Sequence, residues 1–445
     1  MTELHPFSEH PAAHVIAHGA AGPVTAGQLH ADVHRLAEAM PASAYVLNIC
    51  QDRYRFMAGL GAALLAGRVT LMPSSFTPDM LRRLQAHYPG ILCLHDGQPP
   101  PIDMAAWALP ALASDAAPAM DAPMLDAEQV AAIVFTSGTT GEPTAHAKHW
   151  GKLCANGASE AQRLACAGMA IVATVPAQHM YGFESSVLLA LHGAASLWRQ
   201  RPFYPADIQQ ALLSVPRPRM LVTTPFHLNA LLSSGIALPP CDLLLCATAP
   251  LSTELAQRAE AALGCPLLEI YGCTESGQVA SRRTTEGPTW QLLAGVGMQA
   301  EAGAAWVSGG HVEGRVRLSD HIEHLGGAHF RLGQRHADMV NVAGKRASLA
   351  ALTAQLLTIE GVADGCYFQP DGDATDGVQR LAALVVAPNC DETTLMAALR
   401  QRVDAAFLPR PLLKVPRLPR NATGKLAAKD VAALFRTLHP PAPRA

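Results

Sequence analysis

The stretch that decides the fold reads Phe135-Thr136-Ser137-Gly138-Thr139-Thr140-Gly141-Glu142-Pro143. It follows the apolar run Ala131–Phe135, which predicts a short buried strand. Small residues let successive backbone N–H groups converge on one anion, and the hydroxyl groups add further donors. The stretch is therefore a candidate polyphosphate-binding loop, although an ordinary Ser/Gly/Thr loop has the same composition. The P-loop pattern Gly-x4-Gly-Lys-Ser/Thr is absent from it, which disfavours the P-loop NTPases.

Downstream of this loop, short apolar runs alternate with helical patterns. The predicted strands are Ile171–Val175, Met220–Thr223, Leu243–Cys246 and Leu267–Ile270. The predicted helices are Glu184–Leu191, Phe226–Leu232 and Thr253–Leu263, the last opened by Ser252 and closed by Gly264. The first 125 residues continue the pattern, with a helix near Leu29–Met40 and a strand near Tyr45–Ile49. This alternation predicts an α/β sheet with helices on its faces.

The C-terminal third changes character. Glycines punctuate residues 302–340, which predicts a β-rich and loop-rich segment. Beyond it, we predict helix Leu349–Leu357, strands Gly365–Phe368 and Leu381–Val386, helix Thr393–Phe407 and helix Ala427–Leu438. The predicted fold class is thus α/β, with a large N-terminal α/β portion (1–337) and a small mobile α+β C-terminal domain (338–445).

Composition excludes several classes of protein. Charged residues make up 16% and hydrophobic residues 49% of the chain, which excludes disorder as its main state. A net charge of -3 offers no basic field for nucleic acid. The 10 cysteines form no Cys-x-x-Cys pair, so neither a zinc ribbon nor a disulfide framework is expected. No run of about 18 apolar residues occurs, and we predict a soluble, cytoplasmic protein without membrane insertion. The pairs His146/His149 and His321/His324 lack metal-binding spacing and predict structural or solvent-facing histidines.

Further motifs carry a resemblance to a known family. They are Leu245–Leu251, Tyr271-Gly272-Cys273-Thr274-Glu275, Asp320, the run from Arg335 to Arg346, and Pro419-Arg420-Asn421-Ala422-Thr423-Gly424-Lys425. Together with the Thr-Ser-Gly loop, and in the same order, they resemble the adenylate-forming superfamily of acyl- and aryl-CoA synthetases, adenylation domains and luciferases. The resemblance covers at least residues 136–425 and implies an acid–thiol ligase that uses ATP and Mg²⁺.

The resemblance also implies a role for each matching residue. The β- and γ-phosphates are expected on Thr136, Ser137, Gly138, Thr139, Thr140 and Gly141. Thr274 would contact the phosphates and Glu275 would hold Mg²⁺, a cation that prefers oxygen ligands. Adenine would lie against Ala247, Thr248, Ala249, Tyr271 and Gly272, and the ribose would bind Asp320 and Arg335. Lys425 would bridge the acid and the α-phosphate, and Gly344 would lie beside the tunnel for the thiol arm.

The acid is predicted from the segment Val175–Phe183, in which His179 matches the family's pocket gate; a helix-capping histidine is the alternative. Relatives that take amino acids tend to have Asp at the next position, whereas this chain has Met180. Because an apolar side chain leaves an ammonium group unpaired, an amino acid is disfavoured. Tyr181, Phe183, Phe226 and Cys273 complete the expected pocket. The short chain and this segment resemble small aryl acid ligases of aryl polyene pigment pathways, which implies a 4-hydroxybenzoate-type acid and a carrier-protein phosphopantetheine or coenzyme A as acceptor.

Some positions depart from the family pattern. The usual lysine after the loop proline is Thr144, the next lysine is Lys148, and the hinge position is Ala337. Two rival hypotheses therefore stay open. One is a degenerate member that binds nucleotide or carrier protein as a regulatory module, and the other is an adenylating enzyme without thiol transfer.

Overall fold

The computed structural model describes residues 3–73, 75–110, 112, 120–137, 143–301, 304–333, 339–342, 345–370 and 380–439. The first part of the chain builds a six-stranded sheet in which one hairpin carries the phosphate-loop motif. Its elements are β1 (Leu4–Pro6), β2 (Val15–Gly19), β3 (Gly22–Thr25), α1 (Ala26–Ala39), β4 (Tyr45–Asn48), α2 (Arg53–Leu65), β5 (Val69–Met72), α3 (Pro78–His87), β6 (Ile91–His95), β7 (Ala106–Ala108), β8 (Met124–Asp126), β9 (Val130–Ser137) and β10 (Pro143–His149). The order across that sheet is β10-β9-β5-β4-β6-β7, and β1 pairs with β8.

A second sheet has eleven strands and supplies most of the candidate site. Its region contains α4 (Trp150–Leu164), β11 (Ala170–Ala173), α5 (Met180–Gly182), a π-helix (Phe183–Leu188), α6 (Leu189–His192), β12 (Ser196–Trp198), α7 (Pro205–Ser214), β13 (Arg219–Thr223), α8 (Pro225–Ser233), β14 (Leu243–Cys246), α9 (Thr253–Leu263), β15 (Leu267–Cys273), β16 (Gly277–Arg283), a 3-10 turn (Thr284–Glu286) and β17 (Thr289–Leu292). β12, β11, β13, β14 and β15 run parallel to one another, and β16 turns back antiparallel to β15.

The last part of the chain begins with short antiparallel strands, as the glycine-rich segment predicts. It contains β18 (Gly297–Glu301), β19 (Ala304–Ser308), β20 (Arg315–Leu318), β21 (Ile322–Gly326), β22 (His329–Leu332), β23 (Met339–Val342), β24 (Lys345–Ser348), α10 (Leu349–Leu357), β25 (Asp364–Phe368), β26 (Ala382–Val386), α11 (Glu392–Arg400), a 3-10 turn (Ala405–Phe407), β27 (Leu412–Lys414) and α12 (Ala428–Leu438). The order of the second large sheet is β21-β22-β17-β16-β15-β14-β13-β11-β12-β2-β3.

Both faces of the parallel strands are covered, so their apolar runs are continuous rather than alternating. Ile171 and Ala173 of β11 point into the large core between the two sheets. Ala170 and Val172 of the same strand point to the opposite core, beneath α7, α8 and α9. This arrangement explains why short, uniformly apolar runs predicted the strands well.

Local chemistry sets several element ends. Ser252 caps α9 by accepting a hydrogen bond from Leu255 N at 3.1 Å, and Gly264 ends the helix at φ 70°. The predicted bounds of two helices were wrong. The helix expected over Thr393–Phe407 ends at Arg400, because Asp404 caps a separate 3-10 turn by accepting from Ala406 N. The helix expected at Glu184 already begins at Met180.

Residues from 340 onward pack into cores of their own. Leu356, Leu395 and Leu399 lie in one cluster, whereas Val431 and Phe435 of α12 lie in a second. Both clusters contain only residues of this C-terminal part. The small α+β C-terminal domain in the predicted fold class is confirmed, while its boundary at 338 and its mobility stay predictions.

Candidate functional site

The hairpin of β9 and β10 presents the phosphate-loop motif. Ser137 pairs with Pro143 and Thr136 with Thr144, so residues 138–142 connect two adjacent strand ends. The predicted loop residues Gly138, Thr139, Thr140 and Gly141 lie outside the described residues. Thr136 Oγ1 lies 3.1 Å from His146 Nε2.

The turn between β15 and β16 carries Thr274 and Glu275. It is a close-packed turn, because a Cβ built on Gly272 would lie 2.3 Å from the Gly277 carbonyl oxygen. Glu275 Oε1 lies 3.9 Å from His146 Nε2, and the Glu275 side chain is 37% exposed. The two strand turns thus converge, with His146 between Thr136 and Glu275.

A buried lysine supports the Glu275 turn from behind. Lys148 donates a hydrogen bond from Nζ to the Glu275 carbonyl oxygen at 2.6 Å, and only 4% of the residue is exposed. Burial lowers the pKa of Lys148, while the nearby Glu184 carboxylate opposes that shift. Lys148 therefore positions the turn and does not supply the phosphate contact missing at Thr144.

Beneath the same turn lies a buried polar network that the sequence reasoning missed. Glu184 Oε1 accepts from Asn156 Nδ2 at 2.8 Å and from the backbone N–H of Gln278 at 3.2 Å. Burial raises the pKa of Glu184 to about 7 and that of Glu160 to about 8. Glu184 lies in the π-helix, a rare element that often marks functional sites. The polar triplet Glu184-Ser185-Ser186 between apolar residues of one helical run is the sequence signal that indicates such a network.

The predicted nucleoside residues lie on neighbouring strand ends. The Tyr271 hydroxyl donates to Asp320 Oδ2 at 2.8 Å, so these two predicted residues are in direct contact. Thr248 follows β14 with φ 80°, an uncommon conformation for a β-branched residue that recurs at ligand sites. Ala247 before it is buried. Arg335 lies outside the described part of the chain, as does Gly344.

The acid segment is tightly packed. His179 caps α5, since its Nδ1 accepts from the Tyr181 backbone N–H at 3.3 Å. The Tyr181 hydroxyl donates to the Leu245 carbonyl oxygen at 2.9 Å, and the Phe183 ring packs edge-on against Phe56 with ring centroids 6.2 Å apart. Tyr181 and Phe183 therefore have structural partners, and Met180 is 8% exposed. Cys273 Sγ lies 3.1 Å from Ser276 Oγ within the turn before β16.

The turn that carries Lys425 packs on α8. A Cβ built on Gly424 would lie 3.1 Å from Phe226 Cβ, and Gly424 has φ 79°. The Asn421 side chain accepts from Lys425 N at 2.9 Å, which shapes the turn. The Lys425 ammonium lies near enough to His179 to add to burial in lowering the pKa of that histidine to about 4. Lys425, Phe226 and His179 are thus brought together from three distant parts of the chain.

A second set of contacts fixes the same turn. Arg420 donates from Nε to Asp364 Oδ2 at 2.7 Å and from Nη1 to the Gly424 carbonyl oxygen at 2.6 Å. Its guanidinium lies over the Phe226 ring, 5.2 Å from the centroid. Arg420 therefore links the core of the C-terminal part to α8.

The residues present fit Mg²⁺ bound mainly through phosphates. Among the residues that the structure describes, no group of three or more His, Cys, Asp and Glu side chains is arranged to hold a metal. Among the described residues, the Glu275 carboxylate lies beside the phosphate-loop hairpin, near His146. Mg²⁺ commonly binds one or two carboxylates together with substrate phosphates, which matches this arrangement.

Comparison with known proteins agrees with this geometry. The family model described as AMP-binding enzyme matches residues 6–305. The chain belongs to the AMP-binding enzyme family. The prediction of an adenylate-forming acid–thiol ligase is confirmed at the level of this family, as is the use of ATP and Mg²⁺. The aryl polyene subtype stays a prediction.

Curated relatives of this AMP-binding enzyme include two proteins named 4-coumarate–CoA ligase. The protein from Rhodobacter capsulatus is 29% identical over 283 residues, which is 63% of this chain and 69% of the relative. The protein from Cereibacter sphaeroides is 27% identical over 263 residues, 58% of this chain and 60% of the relative.

Solved structures show the same fold over nearly the whole chain. O-succinylbenzoate coenzyme A synthetase (MenE) from Bacillus subtilis in complex with AMP has a TM-score of 0.78 at 18% identity, covering 100% of both chains. ATP-bound MatB from Rhodopseudomonas palustris has a TM-score of 0.76 at 17% identity, covering 96% of this chain and 97% of that chain. Within the described ranges, the helices are too short or too polar to cross a bilayer.

Proposed function

We propose that this AMP-binding enzyme converts an aromatic carboxylic acid and ATP into an acyl-adenylate and pyrophosphate, and then transfers the acyl group to a phosphopantetheine thiol. The observation that carries the proposal is the position of Lys425 beside Phe226 and His179. An exposed lysine on a C-terminal turn has no structural reason to lie there, whereas a cation at the acid segment assists attack on a phosphate.

The first half-reaction follows from the converging turns. A carboxylate oxygen of the acid attacks the α-phosphorus of ATP, the bond to the bridging oxygen breaks, and pyrophosphate leaves with both electrons. Mg²⁺, held by Glu275 and the phosphates, would neutralise charge on the leaving group. Lys425 would neutralise the charge that develops between the acid and the α-phosphate. His179 is neutral at pH 7, given its pKa of about 4, and therefore adds no second cation beside Lys425.

The second half-reaction requires a thiol. Two curated relatives are named CoA ligases, which supports phosphopantetheine as the acceptor arm. Coenzyme A and a carrier protein share that arm, and both remain candidates. The C-terminal domain, predicted from 338, would rotate Lys425 away and present the face around Gly344, because both faces cannot occupy one site together.

Two observations support an aromatic acid without an ammonium group. Met180 is buried beside His179 and offers no carboxylate to an amine. The relatives at 29% and 27% identity bear the name of an aromatic acid, 4-coumarate. We therefore place 4-hydroxybenzoate and 4-coumarate first among the candidate substrates.

Acid-dependent exchange of labelled pyrophosphate into ATP tests the function. We expect 4-hydroxybenzoate or 4-coumarate to exceed phenylalanine, tyrosine and salicylate, because the pocket lacks a partner for an ammonium group. Met180→Asn should raise the rate with salicylate relative to 4-hydroxybenzoate, since the amide can hydrogen-bond the 2-hydroxyl group. An amino acid as the best substrate would refute the pocket assignment, and nucleotide binding without exchange would favour the regulatory module.

Arg420→Lys tests whether the lysine turn must dock on α8. Lysine keeps the charge beside Asp364 but loses the planar contact with Phe226. We expect the substitution to weaken docking of the Lys425 turn on α8 by about 1 to 2 kcal/mol of free energy, which predicts roughly tenfold slower pyrophosphate exchange. Thioester formation from a pre-formed acyl-adenylate should change little. Arg417→Lys, an exposed arginine nearby, is the matched control; equal losses in both half-reactions would contradict the docking role.

A further inference from the structure

A buried arginine, a half-buried arginine and a buried histidine form a basic cluster that the first half-reaction does not use. They are Arg53 at the start of α2, Arg201 in the loop after β12, and His227 in the first turn of α8. Arg53 is 1% exposed, and its hydrogen bonds go only to uncharged groups: the Ala173 and Val175 carbonyl oxygens and the Ser186 hydroxyl. Its Nε has no hydrogen-bond partner among the residues that the structure describes.

The other two members also lack acidic partners. Within the described part of the chain, Arg201 is half-buried and takes part in no recorded hydrogen bond or ion pair. His227 is 3% exposed; its Nδ1 lies 2.9 Å from Thr224 Oγ1, while its Nε2 is buried without a partner. The charge of Arg201 adds to burial in lowering the pKa of Arg53 to about 9 and that of His227 to about 4. The backbone N–H of Arg53 donates to the Arg199 carbonyl oxygen at 2.8 Å, and the Phe203 and His227 ring centroids lie 5.3 Å apart. The loop that carries Arg201 therefore runs from Arg53 to His227.

The charge of Asp52 raises the pKa of Arg53 and so opposes the effect of burial, but Asp52 has another partner. Asp52, adjacent to Arg53 in the chain, forms an ion pair with Arg199 at 2.9 Å. Burying a cation without an opposite charge is costly, and two such cations close together cost more. Packing alone gives no reason to keep this arrangement, whereas an anion bound between the arginines would compensate both charges.

The cluster borders the acid segment. Arg53 bonds to the carbonyl oxygen of Val175, where that segment begins, and to Ser186 in the π-helix that follows it. The His227 ring lies 5.4 Å from the Phe226 ring between centroids, and Phe226 in turn contacts the Lys425 turn at Gly424. The Phe226 side chain thus lies between the Lys425 turn, where the acid reacts, and the basic cluster. A substrate built on one aromatic ring has a length comparable to that separation.

We propose that Arg53, Arg201 and His227 bind a second acidic oxygen, located on the substrate at the end opposite the reacting carboxylate. This inference rests on the proposed function and narrows it to acids with two acidic ends. A phenolic oxygen and a second carboxylate share the required chemistry, since each accepts hydrogen bonds from guanidinium groups. Arg201, which has no hydrogen-bond or ion-pair partner among the described residues, is the specificity-determining residue.

Steady-state pyrophosphate exchange with benzoate, 4-hydroxybenzoate and benzene-1,4-dicarboxylate separates the possibilities. In the wild-type enzyme, kcat/KM should be higher for an acid with a distal oxygen than for benzoate. Arg201→Met should reduce that preference by roughly 10- to 100-fold, the usual effect of losing a charged hydrogen bond. The change should appear mainly in KM. Arg201→Lys should retain part of the preference for an acid with a distal oxygen. Arg258→Met, an exposed arginine of α9, should keep the wild-type preference.

The outcomes are distinct. A wild-type preference for the dicarboxylate assigns a carboxylate to the cluster, and a preference for 4-hydroxybenzoate assigns a phenol. An equal loss with all three acids in Arg201→Met would overturn the inference and leave the proposed function intact, as would a wild-type preference for benzoate. Absence of exchange with any acid would refute the proposed function and this inference with it. Thermal unfolding of each variant, with and without the dicarboxylate, checks folding and reports binding without turnover.

Discussion

Lys425→Ala is expected to lower acid-dependent pyrophosphate exchange by roughly 10²-fold or more, the usual cost of removing one preorganised charge or donor at a reacting centre. The charge of the ammonium adds to burial in lowering the pKa of His179, and Asn421, Arg420 and Phe226 hold its turn in place. Transfer of a pre-formed acyl-adenylate to a phosphopantetheine thiol should continue, because it uses the opposite face of the C-terminal domain.

The measurement uses two assays on the purified Lys425→Ala variant: acid-dependent pyrophosphate exchange, and transfer of a pre-formed acyl-adenylate to a phosphopantetheine thiol. Lys429→Ala, an exposed lysine in the first turn of α12, is the matched control and should behave as wild type in both. Circular dichroism checks that each variant is folded. If Lys425→Ala retained both activities, the lysine would be an ordinary surface residue. If a folded variant lost both, the two-conformation model would be wrong for this enzyme.

Glu275→Gln is expected to slow exchange by about 10²-fold at low Mg²⁺, because the amide keeps the shape of the side chain but removes its negative charge. The effect should shrink as the Mg²⁺ concentration rises, since a weakened site is filled by mass action. The turn itself should persist, because Lys148 bonds to the Glu275 backbone rather than to its carboxylate.

The measurement is a Mg²⁺ titration of the exchange rate. Glu286→Gln, at an exposed glutamate paired with Arg283, is the control and should leave the titration unchanged. Full exchange activity of Glu275→Gln at every Mg²⁺ concentration, or wild-type activity in the presence of a chelator, would contradict the assignment of Glu275 to the metal.

The prediction of the fold from sequence succeeded where local signals were strong. Leu243–Cys246 and Thr253–Leu263 were predicted with the observed bounds, because continuous apolar strands and a capped helix are written in neighbouring residues. The prediction failed at Thr393–Phe407, where Asp404 starts a new turn. It also missed the π-helix at Phe183–Leu188, since such a helix depends on packing more than on periodicity.

The residues of the candidate site likewise fall into those that local sequence motifs predicted and those that they did not. Thr136, Glu275 and Lys425 were named from motifs, because the chemistry of phosphates and carboxylates limits the residue types that serve it. Lys148, Glu184 and Arg201 were not predicted as site residues, although they lie around the same site. Each is a charged residue in an apolar or loop context, and sequence position alone does not reveal whether its charge is exposed or buried.

The sequence by itself determined the family, the order of its motifs and the α/β class, since these depend on residue type and on short-range spacing. Only the tertiary structure decided that Lys148 supports the Glu275 turn, that Phe226 carries the Lys425 turn, and that Arg53 is buried beside the acid segment with its Nε unpaired among the described residues. The physical reason is that the cost or benefit of a charge depends on its burial and on its partners. Those partners lie more than a hundred residues away along the chain and meet only when the sheets pack.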